Sequence, residues 1–128
     1  MMNTMEQPLV SIIIPVYNAK AHLEACVQSI LDQSYQQIEM LLIDDGSSDG
    51  SSGLCDELSQ KSEKIRVIHK ENGGVSTARN RGIEEARGEF IIFVDCDDVI
   101  SQNYVESFIE SSGDADLVIG SIEDVYVD

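Results

Sequence analysis

A chain of 128 residues has room for one buried core and not for two ordinary ones. Its 24 acidic and 8 basic residues give a net charge of −16, which sets it against nucleic acid and anionic membrane surfaces at long range. The same charge repels an anionic small substrate unless a metal bridges the two, although acidity also serves plain solubility.

Residues 1–8 are polar and read as an N-terminal tail, with neither a signal peptide nor a transmembrane segment expected. A strand follows over Leu9–Ile14, ended by Pro15. Ala21, Leu23, Cys26, Val27, Ile30 and Leu31 recur near helical spacing and predict a helix from about Lys20 to Gln33. Ile38–Ile43 reads as a second strand, and Asp44-Asp45-Gly46-Ser47-Ser48-Asp49-Gly50 as a loop of turn formers. Leu54, Cys55 and Leu58 mark a second helix, and Ile65–Ile68 a short third strand. Gly73-Gly74 breaks the chain, after which Val75, Ala78, Gly82 and Ala86 line one face of a third helix, with Gly88 as its cap. Phe90–Val94 is the fourth strand, Asn103–Glu110 the fourth helix and Leu117–Ile119 a short fifth strand. The three cysteines, Cys26, Cys55 and Cys96, have no metal-pair spacing. They suit reduced thiols in a cytoplasmic protein, Cys26 and Cys55 at apolar helix positions.

Alternation of strand and helix predicts an α/β fold, a mainly parallel sheet covered on both faces. The turns after strands one, two and four then share one rim, where open α/β sheets place ligands. They carry Pro15-Val16-Tyr17-Asn18, Asp44-Asp45-Gly46-Ser47 and Asp95-Cys96-Asp97-Asp98. In the last of these an apolar run ends in carboxylates. If the segment stays extended, Asp95 and Asp97 share a face and Cys96 points away. Two carboxylates that close repel unless a cation sits between them, and all-oxygen ligands suit Mn²⁺ or Mg²⁺. A solvated acidic turn is the alternative.

Four segments taken in order, Ser11–Asn18, Leu42–Asp49, Asn72–Gly82 and Phe93–Asp98, resemble family 2 glycosyltransferases of the GT-A fold. The resemblance runs from Leu9 to about Gly120 and implies a Rossmann-like three-layer sandwich, here truncated. It implies that 9–128 is the donor-binding domain, lacking the acceptor-binding C-terminal part. The function implied is metal-dependent, inverting transfer of a sugar from a nucleoside-diphosphate sugar, a UDP-sugar by preference, to a hydroxyl acceptor, as in cell-surface polysaccharide synthesis. By resemblance, Tyr17 stacks on the base near Pro15 and Asn18, or else closes the strand end against the core. Asp45 accepts the base N–H, or is a turn former; Asp44 bonds backbone in the turn. Asp97 holds the metal, and Asp95 contacts the ribose or a metal-bound water. Asp98 joins them or caps the next helix. Gly73 and Gly74 let the loop approach the nucleotide, or form a plain turn. Arg79 is the cation nearest the diphosphate, with a helix-surface salt bridge as its competitor and the expectation for Arg81 and Arg87. His22 and His69 read as surface residues.

The resemblance also implies a general base from beyond the Asp-x-Asp segment, and no residue here is assigned to that role; Glu123 and Asp124 come too early. A sheet exposing an edge and an apolar face predicts self-association, or a C-terminal partner chain. A haloacid-dehalogenase-like phosphatase needs a later lysine, and no Lys or Arg follows Arg87. A non-catalytic nucleotide-binding or interaction module on the same fold is the alternative that remains.

Overall fold

The computed structural model describes residues 7–112 and 119–121. Residues 1–6 of the expected tail, the first two residues of the strand expected at 117–119, and Glu123 and Asp124 lie outside the described residues. Strands β1 (Val10–Val16), β2 (Ile38–Asp45), β3 (Ile65–Lys70), β4 (Phe90–Phe93) and β5 (Ile119–Ser121) alternate with helices α1 (Leu23–Leu31), α2 (Ser51–Ser59), α3 (Val75–Glu85) and α4 (Tyr104–Ser112). The strands form one sheet in the order β3-β2-β1-β4-β5, every pairing parallel. β1 and β2 are buried along their full length, so they read as mostly apolar runs rather than alternating ones, with Ser11, Glu39, Asp44 and Asp45 as buried polar exceptions.

Strand alternation still sorts their side chains into two layers. Val10, Ile12, Ile14, Met40, Leu42 and Ile92 meet α1, α2 and α4 in the larger core cluster. Ile13, Leu41, Ile43 and Ile91 meet Ala78 of α3 in a smaller one on the opposite face. Fully burying each such side chain contributes roughly 1.5–3 kcal/mol, which is why these layers hold the rim in place. α3 lies against β1 at a glycine: a Cβ on Gly82 would come within 2.4 Å of Ile13 Cγ2. No helix among the described residues is long and apolar enough to cross a membrane.

Several boundaries differ from expectation. β1 runs through Pro15 to Val16 instead of stopping before it. In a parallel ladder a residue points its N–H and C=O to the same neighbour. Ile13 accepts from the Val94 amide at 3.0 Å, so Pro15, two residues on, directs its missing N–H toward β4. Its β2 side is undisturbed, and the strand tolerates it. β2 likewise continues through Asp44 and Asp45, which were expected in a loop. α1 is shorter than expected because residues 20–22 form a turn. Gly88 does not cap α3, which ends at Glu85 with Ala86 as its C-cap; instead its amide donates to Ser11 Oγ at 2.8 Å, and a Cβ there would strike the Leu9 carbonyl at 2.7 Å. β5 is described over Ile119–Ser121 and so includes Ile119, the one residue of the expected 117–119 strand that is described.

The sheet order places a switch point between β1 and β4. The chain adds β2 and β3 on one side of β1, then crosses back to lay β4 on the other. Ligands in open α/β sheets sit at such a reversal, beyond the carboxyl ends of the strands.

Candidate functional site

A cleft of about 360 Å³ opens at that reversal, lined by Pro15, Tyr17, Asn18, Ala19, His22, Val75, Asp95, Cys96 and Asp97. The last β1–β4 pairing is Ile13 with Phe93, after which the strands part. Pro15 is buried at the cleft floor, and the Tyr17 ring beside it is 52% exposed. At that exposure Tyr17 does not close the strand end against the core, the alternative reading of this residue. Asn18 has φ 50°, the left-handed region, and its Oδ1 accepts from Ser48 N at 2.8 Å while its own amide donates to Ser47 Oγ at 3.1 Å. It thereby ties the turn after β1 to the turn after β2.

The three carboxylates come together differently from the expected extended strand. β4 ends at Phe93, and residues 95–98 form a turn closed by the Asp98 amide donating to the Asp95 carbonyl at 3.0 Å. Through that turn Asp95, Asp97 and Asp98 each bring a carboxylate oxygen within 4.8 Å of the others. Cys96 does pack inward, against the larger core cluster. Asp98 precedes α4 by more than a turn and does not cap it. The donor set is oxygen only and lies at an open rim, and small rotations would bring the three onto one hard cation, so these residues fit Mg²⁺ or Mn²⁺.

Arg79 reaches the same place from α3. Its Nη2 stands 3.7 Å from Asp95 Oδ1, and its guanidinium lies over the Phe93 ring, 5.6 Å from the centroid. Its Nε–H is buried with no acceptor. A donor in that condition is completed by a water or an anionic ligand. Arg81 instead pairs with Glu85 at 3.3 Å along the helix, and the Arg87 amide donates to Glu39 at 2.7 Å.

Asp44 and Asp45, adjacent in β2, face opposite layers. Asp44 turns toward α2, where it accepts from Ser47 N at 3.1 Å, Ser52 Oγ at 2.5 Å and His69 Nδ1 at 2.7 Å. Burial pushes its carboxyl up, but these hydrogen bonds outweigh it and leave the pKa below the usual range. Asp45 turns toward α3 and is 3% exposed. Its Oδ1 accepts from Lys70 Nζ at 2.6 Å and Gly73 N at 3.0 Å; its Oδ2 accepts from Gly74 N at 2.9 Å and, weakly, Asn72 Nδ2 at 3.4 Å. Burial again opposes ionisation, and the Lys70 and glycine amide donors again prevail, holding the carboxyl low. Gly74 has φ 99°, which an L side chain rarely adopts, and this conformation aims its amide at Asp45. Asp45, Gly74 and Arg79 are not among the cleft's lining residues; they stand behind it, Gly74 next to Val75 and Arg79 against Asp95.

Sequence reasoning missed His22 and Val75, which line the cleft, and Lys70, Asn72 and Thr77, which surround Asp45. His69, expected at the surface, is about half exposed there and also bridges Asp44 and Asp56. A lysine ending an apolar strand at the ligand rim was the available signal for Lys70. The others depend on which face a loop presents.

The family model described as Glycosyl transferase family 2 matches residues 11–128. The chain is 44% identical over 116 residues to the glycosyltransferase GlyG of Streptococcus pneumoniae serotype 4, covering 88% of this chain and 38% of GlyG. Among solved structures it resembles S. aureus TarS 1-349 in complex with UDP, with TM-score 0.72 and 27% identity over 79% of this chain and 31% of that one. It also shares its fold with the mannosyltransferase PcManGT from Pyrobaculum calidifontis, solved with GDP-Man and Mn2+, at TM-score 0.79 and 22% identity over 84% of this chain and 33% of that one. The chain thus spans well under half the length of these relatives.

Proposed function

The chain belongs to glycosyltransferase family 2, and from that membership we propose that its cleft binds a metal–nucleoside-diphosphate sugar and serves as the donor half of an inverting transfer to a hydroxyl acceptor. The observation that carries this reading is the meeting, at one strand-order reversal, of three carboxylates, a guanidinium with an unsatisfied N–H, and an exposed tyrosine ring. The base would stack on Tyr17 over Pro15, with Asn18 at the slot's edge. Asp97 and Asp95 would hold Mn²⁺ or Mg²⁺ against the diphosphate, with Asp98 able to add a third oxygen; the cation supplies charge stabilisation for the departing nucleotide. Arg79 adds a fixed positive charge behind Asp95.

UDP is the preferred nucleotide, because Asp45 is an anionic acceptor suited to an imide N–H and because TarS was solved with UDP. In this reading residues 9–128 are the donor-binding domain, and the general base and acceptor pocket come from elsewhere. Synthesis of a cell-surface polysaccharide is the setting family members suggest. Buried thiols at Cys26 and Cys55, each pushed up to about 12 by burial, suit a reducing compartment such as the cytoplasm. The non-catalytic module is the alternative, and the fold does not distinguish them.

Calorimetric titration of UDP with and without Mn²⁺ tests the site. The expected outcome is binding that needs the metal and falls by more than ~10-fold in Asp97→Ala. Absence of UDP binding under every condition would leave the motifs as scaffold only.

A further inference from the structure

We propose that Lys70 is a specificity-determining, positioning residue: it fixes Asp45 so that a single acceptor site remains for the base, and so makes the cleft choose uracil over cytosine. The inference rests on the nucleotide-binding reading above.

An ionised carboxylate has about four lone-pair sites. At Asp45 three of them are filled by short bonds, from Lys70 Nζ at 2.6 Å, Gly73 N at 3.0 Å and Gly74 N at 2.9 Å. The fourth, on Oδ2, holds only the Asn72 amide at 3.4 Å, and that amide makes its better bond to Asp45's own carbonyl at 3.0 Å. Asn72 can therefore give way on Oδ2 without losing its place. Asp45 is 3% exposed and stands behind the cleft, so a ligand N–H takes over that site only by displacing Asn72 from Oδ2.

Lys70 is what makes the arrangement rigid. Its ammonium has three protons, and three acceptors receive them: Asp45 Oδ1, the Glu71 carbonyl at 2.7 Å and Thr77 Oγ1 at 2.9 Å. Thr77 in turn donates to the Gly74 carbonyl at 2.7 Å. The end of β2, the end of β3, the 71–74 loop and the first turn of α3 are thus held by one side chain, itself 15% exposed. The packing is close, since a Cβ on Gly73 would come within 2.8 Å of Thr77 Oγ1 and 3.2 Å of Lys70 Nζ. With Lys70 removed, Asp45 Oδ1 loses its shortest bond and the carboxylate is free to rotate. Its remaining acceptor site then no longer has a fixed direction.

Uracil presents an N3–H between two carbonyls; cytosine presents a bare N3 lone pair at the same position. A fixed acceptor rewards the first and repels the second, because a site built around one hydrogen bond is left unpaired by the analogue that lacks it. A merely structural lysine would affect both nucleotides alike.

The test measures UDP and CDP binding in Mn²⁺ for the unaltered 128-residue chain, Lys70→Met, Asp45→Asn and the double variant, with binding of Mn²⁺ alone as the check that the rim is intact. The unaltered chain is expected to prefer UDP. Lys70→Met is expected to shrink the UDP-to-CDP ratio on the order of 10-fold while Mn²⁺ binding persists. Adding Lys70→Met to Asp45→Asn is expected to change the ratio no further. If Lys70→Met does not fold, Lys70→Gln, which keeps one donor toward Asp45, is expected to show an intermediate ratio. A ratio unchanged in Lys70→Met or Lys70→Gln, or additive effects in the double variant, overturns the assignment and leaves the nucleotide site standing. Failure of the unaltered chain to bind UDP overturns the nucleotide-binding reading and this assignment with it.

Discussion

His69 stands between two carboxylates, Nδ1 2.7 Å from Asp44 and Nε2 2.9 Å from Asp56. Both ring nitrogens face carboxylates, an arrangement that favours the imidazolium, in which both donate. The hydrogen bond to Asp44 first, then that to Asp56, raises its pKa above 6.5 against the opposing effect of burial. A raised histidine pKa stabilises the folded state fully below the unfolded value, and that contribution is lost as pH rises through the folded value. Asp44 has the opposite sign: its depressed pKa contributes above 3.8 and is lost as pH falls through the folded value. Chemical denaturation of the protein and His69→Gln should therefore differ most on the acid side of pH 6.5 and converge as pH climbs. A difference that stays constant across that range would remove the ion pair from the account. At this scale the site was partly legible. Acidic residues at strand ends announced a polar rim, and the family resemblance singled out Asp45, Asp95 and Asp97 within it. Their pairings were not legible, because Lys70 reaches Asp45 across 25 residues and Arg79 lies near Asp95 only once α3 has packed.

At the level of elements, the apolar runs announced every described strand and helix in order, because buried parallel strands need continuous hydrophobic sequence and covering helices need one apolar face. Ends were harder to read. Asp44, Asp45 and Pro15 all look like strand terminators by composition, yet each lies inside a strand because its neighbours supply what it needs: hydrogen-bond donors for the aspartates, an unpaired side for the proline. Gly88 looks like a helix cap and instead makes room for β1. Gly82 is read correctly as part of the inward face of α3, and its role there is close approach. Gly82→Ala sets a methyl 2.4 Å from Ile13 Cγ2, with Ile13 fully buried and unable to withdraw. The helix must lift, at a cost of about 1–3 kcal/mol. Urea denaturation should register that loss. The same lift should draw Arg79 away from Asp95, so UDP binding should weaken beyond what unfolding explains. Unchanged stability would mean that the α3–β1 contact is looser than its geometry.

Across the whole molecule, charge and apolar surface pull in opposite directions. The net charge is −16, while Tyr17, Val75, Ile83 and Val99 remain exposed and β3 is an open sheet edge. That edge carries Arg66, His69 and Lys70, each already paired with carboxylates of the same chain. Self-repulsion should keep copies apart at low salt, and screening should let the apolar patches meet. Light scattering is expected to show a mass that grows with ionic strength over roughly 0.01–0.5 M, where the Debye length falls below about 5 Å. A mass independent of salt would exclude this mode of self-association.

The proline inside β1 has one more consequence. A parallel ladder closes bond by bond, and the next bond after Ile13–Val94 would need an amide hydrogen at position 15. Proline has none, so that bond between β1 and β4 is missing, and their pairing ends at Ile13 with Phe93. The missing donor favours an opening at that point. In the proposed reading, a ligand seated between these strands has one ladder bond fewer to displace, a small contribution to preorganisation.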